Sequence, residues 1–126
     1  MRTQRFVVAV LVLAAAFMIV AGAWCWLDPA GFAKMTNWPV HEHFLHDAGV
    51  FQIGIGLMLL FALRWRDVIA VVLAGFLITN TLHALNHWLD LAHGGHASDP
   101  WALLAMSALA AAALTIRLRM VKRAAP

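Results

Sequence analysis

The chain has 126 residues, 63% of them hydrophobic and only 12% charged, with a formal net charge of +3. Soluble domains sit nearer half apolar and a quarter charged, so this composition argues against a water-soluble fold. The length allows one compact unit and leaves no room for a soluble domain beside the apolar runs.

The first apolar run predicts a helix over about residues 6–26. Arg2 and Arg5, the apolar stretch and Ala21-Gly22-Ala23 together have the outline of a cleavable signal peptide. The run is long for that role, however, and continues through Trp24 and Trp26, which suit an interfacial anchor; the helix is expected to stay. Cys25, the sole cysteine, can form no internal disulfide and reads as a small buried apolar residue. The link that follows mixes Pro29, Gly31 and Pro39 with Phe32, Met35 and Trp38. It reads as a segment folded along an interface, either a plain loop or a lid over polar residues.

A second helix is predicted over about 43–63, a third over 68–91 and a fourth over 100–119. Nothing alternates like a barrel strand, so the expected fold is an all-α polytopic membrane four-helix bundle. The second and third helices are joined by a short turn around Arg64–Asp67 and must be antiparallel neighbours. Gly54 and Gly56, with Gly75, are expected to let backbones approach. Asp99 reads as an N-cap, Pro100 as the first residue of the fourth helix, and Ser107 as bonding its own helix backbone.

Eight of nine basic residues lie at one end: Arg2, Arg5, Arg64, Arg66, Arg117, Arg119, Lys122 and Arg123. The positive-inside rule then makes both termini cytoplasmic in a multi-pass plasma-membrane protein. These cations are split among three juxtamembrane sites, which gives no sign of a nucleic-acid partner; the lipid bilayer and a lipid-soluble small molecule are the expected ones. The acids segregate oppositely, with only Asp67 on the inner side, and all seven histidines lie toward the outer end.

That asymmetry carries the chemistry. Asn80, His83, Asn86, His87 and Asp90 fall on a stripe about 120° wide on the third helix, with Thr79 in the same arc. In a membrane such a face should turn inward. His43 and Asp47 are stacked on the second helix. Asp47 and His83 each stand 18 residues from Trp65, hence both about 27 Å from the turn, with His43 and His87 level about 6 Å higher. Helices facing each other would bring Asp47 beside His83 and His43 beside His87.

Such a set suits a divalent metal, zinc, iron or copper, held by His43, Asp47, His83, His87 and Asp90. A metal-dependent membrane enzyme would follow. Haem b between His43 or His46 and His83 or His87, acid/base or proton handling without metal, a quinone-linked redox subunit, and a purely structural helix clamp are the competing readings. His41, His93 and His96 read as solvated loop residues, and His46 points about 100° from Asp47.

"HEHFLHDAGVFQIGIG" followed by "LHALNHWLD" resembles a group of small four-span actinobacterial membrane proteins in or near the DoxX-like superfamily, with Glu42, His43, Asp47, Gly49, His83 and His87 as the matching positions. The resemblance implies a four-helix bundle with an extracytoplasmic polar site. DoxX-like relatives imply quinone or sulfur redox chemistry, for which this chain has no cysteine pair or flavin motif.

Overall fold

The computed structural model describes residues 2–124 and is built from helices alone: α1 (Arg2–Leu27), α2 (Pro29–Thr36), α3 (Glu42–Arg64), α4 (Ile69–Leu89) and α5 (Asp99–Ala124). One turn of 3₁₀ helix, Arg66–Val68, joins α3 to α4. Four helices are long and apolar enough to cross a membrane: α1, α3, α5, and α4 with its leading turn. At about 1.5 Å per residue each spans 30 Å or more. Most run beyond the segments expected from hydropathy, because their polar ends continue the helix.

The link after α1 is partly helical. Asp28 caps α2 by accepting a hydrogen bond from the Gly31 N–H (2.9 Å), and Pro29 occupies its first turn, where no N–H is needed. Asn37, left-handed at φ 58°, ends it. At the start of α3, His41 Nδ1 accepts from the Phe44 N–H (3.3 Å), so this histidine is a helix cap.

Packing follows two tight pairs, α1 with α3 and α4 with α5, which close into a bundle through a thinner α1–α5 side and a still thinner α3–α4 side. The expected α3–α4 hairpin is therefore adjacent but not closely faced, and each helix turns its best surface to another partner. The reason lies in small residues. A Cβ on Gly22 would stand 2.7 Å from the Gly49 carbonyl oxygen, and one on Gly49 2.6 Å from that of Gly22, so the α1 and α3 backbones touch there. Gly56 meets Ala15 and Ile19 in the same way. Gly54 and Gly75, expected to serve close approach, have nothing within 4 Å.

The α4–α5 pair is joined by polar groups. Buried Asn80 donates from Nδ2 to the Leu103 carbonyl (2.7 Å) and to Ser107 Oγ (2.9 Å). Thr81 Oγ1, which donates to Leu77 O of its own helix (2.7 Å), stands 3.0 Å from the same hydroxyl. Ser107 thus serves the neighbouring helix, contrary to its expected local role. Leu11, Leu59, Leu73 and Phe76 fill the core below, flanked by Ala14, Ala110 and Ala113. At the Arg66 turn, Arg117 Nη2 donates to the Arg66 carbonyl (2.6 Å) and ties α5 to the α3–α4 connection.

Candidate functional site

The polar stripe of α4 does not turn inward as one face. Asn80 and His87 are seven residues apart and share the line that packs on α5. His83, Thr79 and Asn86 lie about 60–120° round the helix from Asn80, and all three are exposed. The stripe is wider than one helix–helix contact, so only its α5-facing edge is covered.

That edge ends in a group of three polar side chains, His83, His87 and Asp99. His87 stacks edge-on to His83, with ring centroids 4.6 Å apart and planes at 83°. Across the helix pair, Asp99 at the start of α5 brings Oδ2 to 3.7 Å from His87 Nδ1. Both side chains are largely covered, 15% and 25% exposed. The gap is too long for a hydrogen bond, and His87 Nδ1 is buried with no hydrogen-bond partner among the described residues. An orphaned buried nitrogen costs about 1–3 kcal/mol, which a proton shared with the carboxylate removes. Asp99 Oδ2 also accepts the His96 N–H (2.8 Å). Asp99 therefore holds the loop before α5, whereas the sequence had assigned its side chain to capping that helix.

The α2–α3 link roofs this pair. The Trp38 ring stands edge-on to His87, centroids 5.6 Å apart. Asn37 clasps the loop that follows α4: its carbonyl accepts the Gly95 N–H (2.8 Å) and its Nδ2 donates to the Gly95 carbonyl (3.1 Å). His96 Nε2 donates to the Met35 carbonyl (3.0 Å). A Cβ on Gly94 would lie 2.8 Å from the Trp38 ring, and Gly95 turns the chain at φ +79°, so both glycines are required. A cleft of about 600 Å³, bordered by Lys34, Trp38 and residues 91–95, opens beside the clasp.

The five residues expected to converge on a metal are distributed among separate contacts. His43 and Asp47 face each other at 3.6 Å on an open surface of α3, with side chains 84% and 60% exposed. Asp90 faces His93 at 3.7 Å in the loop after α4. His83 and His87 stand together, with Asp99 as the nearest acid to His87. Among the described residues no group of three or more His, Cys, Asp or Glu side chains has the proximity a metal ion needs. His46 is half-buried in α3.

Three residues of this site had other expected roles or none in the chemistry. Asp99 was expected as a helix cap, His96 as a solvated loop residue, and Trp38 only as part of a link that could be a plain loop or a lid; the contact of Trp38 with His87 fits the lid. One signal was available for Asp99. A nine-residue connection containing Gly94-Gly95 reverses the chain, which returns the first turn of α5 to the level of the last turn of α4. No known family model, curated protein or solved structure matches the chain. The geometry alone carries the functional reading.

Proposed function

We propose that the chain is a multi-pass protein of the plasma membrane with both termini and the Arg66 turn in the cytoplasm. Its outer end then carries a proton-responsive acid/base site, His87 with Asp99, closed by Trp38. Membrane residence is supported by four long apolar helices. Orientation is supported by the basic residues at the end bearing the Arg66 turn and by five of six tryptophans near the other.

One observation carries the site: the buried, unpartnered His87 Nδ1 opposite the Asp99 carboxylate. Imidazole is the side chain whose charge ordinarily changes near neutrality. With a proton on Nδ1 the imidazole, neutral or charged, can donate to the Asp99 carboxylate, and with both ring nitrogens protonated that bond is a charge-assisted one. The groups facing His87 are His83 on its own helix, Asp99 on α5 and Trp38 on the link. Asp99 is the acid among them, so its carboxylate is the acceptor that a proton on His87 Nδ1 would meet.

Trp38 reports on the closure. Purified protein in nanodiscs, with the other five tryptophans replaced by phenylalanine, is expected to show an emission change as pH crosses the imidazole range. Asp99→Asn and His87→Gln should each abolish it. An unchanged titration in both variants rejects the site. The same gap could hold a divalent cation if a third donor such as His83 swung in. An emission change produced by zinc at constant pH, and lost in the same two variants, would favour that occupant. For orientation, single cysteines at Lys34 and Asp67 should label from outside and inside respectively with an impermeant maleimide.

A further inference from the structure

Among the described residues, two faces of the bundle pack on no other helix, and they match. On α3, His43, Asp47 and Gly54 fall on one line, since 47 and 54 are seven residues apart, and Phe51 and Met58 flank it. All five are exposed, and a Cβ on Gly54 would meet nothing within 4 Å. On α4, Gly75, Thr79, His83 and Asn86 form a second exposed line, and Gly75 likewise has nothing within 4 Å.

Counted from Trp65, Gly54 and Gly75 are 11 and 10 residues away, and Asp47 and His83 are both 18 away. The glycines stand about 15–16 Å above the turn and the acid and imidazole about 27 Å above it. The α3–α4 side is the thinnest in the bundle, and Asp47 remains 60% exposed. Its ion-pair neighbour, His43 at 3.6 Å, is itself 84% exposed. So open a pair just inside the outer edge of a hydrocarbon core about 30 Å thick is costly and calls for a further polar partner at the depth of Asp47.

We infer that a second copy of this chain supplies that partner: α3 of one copy lies against α4 of the other, with Asp47 meeting His83 and Gly54 meeting Gly75. The inference rests on the membrane reading above. A two-fold axis beside α3 and α4 makes the contact twice, with the same patch on both copies. The paired glycines permit close backbone approach at mid-depth, and an imidazole N–H donates to the carboxylate nearer the surface. Thr79 needs nothing from the partner, because its hydroxyl donates to Gly75 O (2.9 Å). The depth match between Asp47 and His83 is thereby satisfied between copies.

The test uses two differently tagged full-length chains, both Cys25→Ala, one carrying Asp47→Cys and the other His83→Cys. They are co-expressed, and membranes are treated with a mild oxidant. A mixed-tag disulfide dimer is expected. Each chain carries one cysteine, so no internal disulfide can mimic it. Separately, Gly54→Leu and Gly75→Leu should each weaken dimerisation in nanodiscs about tenfold, equivalent to about 1.4 kcal/mol, while monomer helicity is unchanged because the added side chains enter open space. A carbonate-resistant membrane pellet containing only monomer, with no mixed disulfide, overturns the interface and leaves the membrane reading intact. Absence from the membrane pellet removes both. In a third chain carrying both Asp47→Cys and His83→Cys, an internal disulfide without any dimer also overturns it.

Discussion

Between α1 and α3 the backbones touch through Gly22, Gly49 and Gly56, with no side-chain hydrogen bond between the two helices among the described residues. Between α4 and α5 the contact is made by Asn80, Ser107 and Thr81, which exchange hydrogen bonds across alanine-rich surfaces. Both solutions suit a medium in which burial from water gives no drive between helices. There, association depends on close dispersion contact or on polar groups that have nowhere else to bond. The glycine pair makes a stiff frame. The polar pair places a line of hydrogen-bonding side chains along one helix face, and that line ends in His87 and Asp99. The half of the molecule that is held by polar groups is also the half that bears the candidate chemistry.

The largest break in this contrast is expected at Gly49. A side chain there meets the Gly22 carbonyl and the Trp26 backbone N–H, neither of which can move without separating the helices. Overpacking of this kind costs about 3 kcal/mol, and Gly49→Leu should lose the α1–α3 pair altogether. Titration with sodium dodecyl sulfate followed by circular dichroism would check it. Gly54→Leu, one and a half turns further along α3, is the internal control: equal destabilisation by both variants would show that the glycine contact is not what holds α3.

The polar pair should break more gently. Asn80→Leu removes two hydrogen bonds, each worth about 0.6 kcal/mol in a membrane and up to about 1.7. A loss of about 1–2 kcal/mol in the same titration is therefore expected, with Ser107→Ala losing less. A loss as large as that of Gly49→Leu would mean that the two pairs are held by the same kind of force.

The helical layout was legible in the sequence, because long apolar runs separated by turn residues leave few alternatives. The pairing of the helices was not. Counting from Arg64–Asp67 gave the depth of Asp47 and His83, but depth is one coordinate, and rotation about each helix axis decides which face is covered. Gly54 and Gly75 looked equivalent to Gly56 in sequence, yet only Gly56 sits on the α1-facing line with Gly49. Gly22 was read as part of a signal-peptide outline, although it supplies the closest backbone contact of the fold. Asn80 belonged to a recognisable stripe; its partner Ser107 did not, since a lone serine in an alanine-rich helix usually bonds its own backbone. The site itself was half legible. His83 and His87 announce themselves by spacing, whereas Asp99 and Trp38 reach them through a loop fold that depends on a backbone hydrogen bond from Gly95 to Asn37 and one from the His96 side chain to the Met35 carbonyl.

The smallest effect, and the one that isolates the site from both helix pairs, belongs to Gly95. Its φ of +79° is a left-handed conformation that costs a residue with a Cβ about 1 kcal/mol. The added methyl group would also stand 3.1 Å from the Trp38 ring, a contact that the ring can relieve by shifting. Gly95 touches neither the α1–α3 glycines nor the Asn80 network; it holds Asn37 by two hydrogen bonds and so keeps Trp38 over His87. Gly95→Ala should thus leave the detergent unfolding midpoint nearly unchanged while raising hydrogen exchange at the residue 95 amide and exposing Trp38 to aqueous quenchers. If Trp38 stays protected in that variant, the roof is held by its own packing on the bundle, and the Asn37–Gly95 clasp is a consequence of the closure with no part in maintaining it.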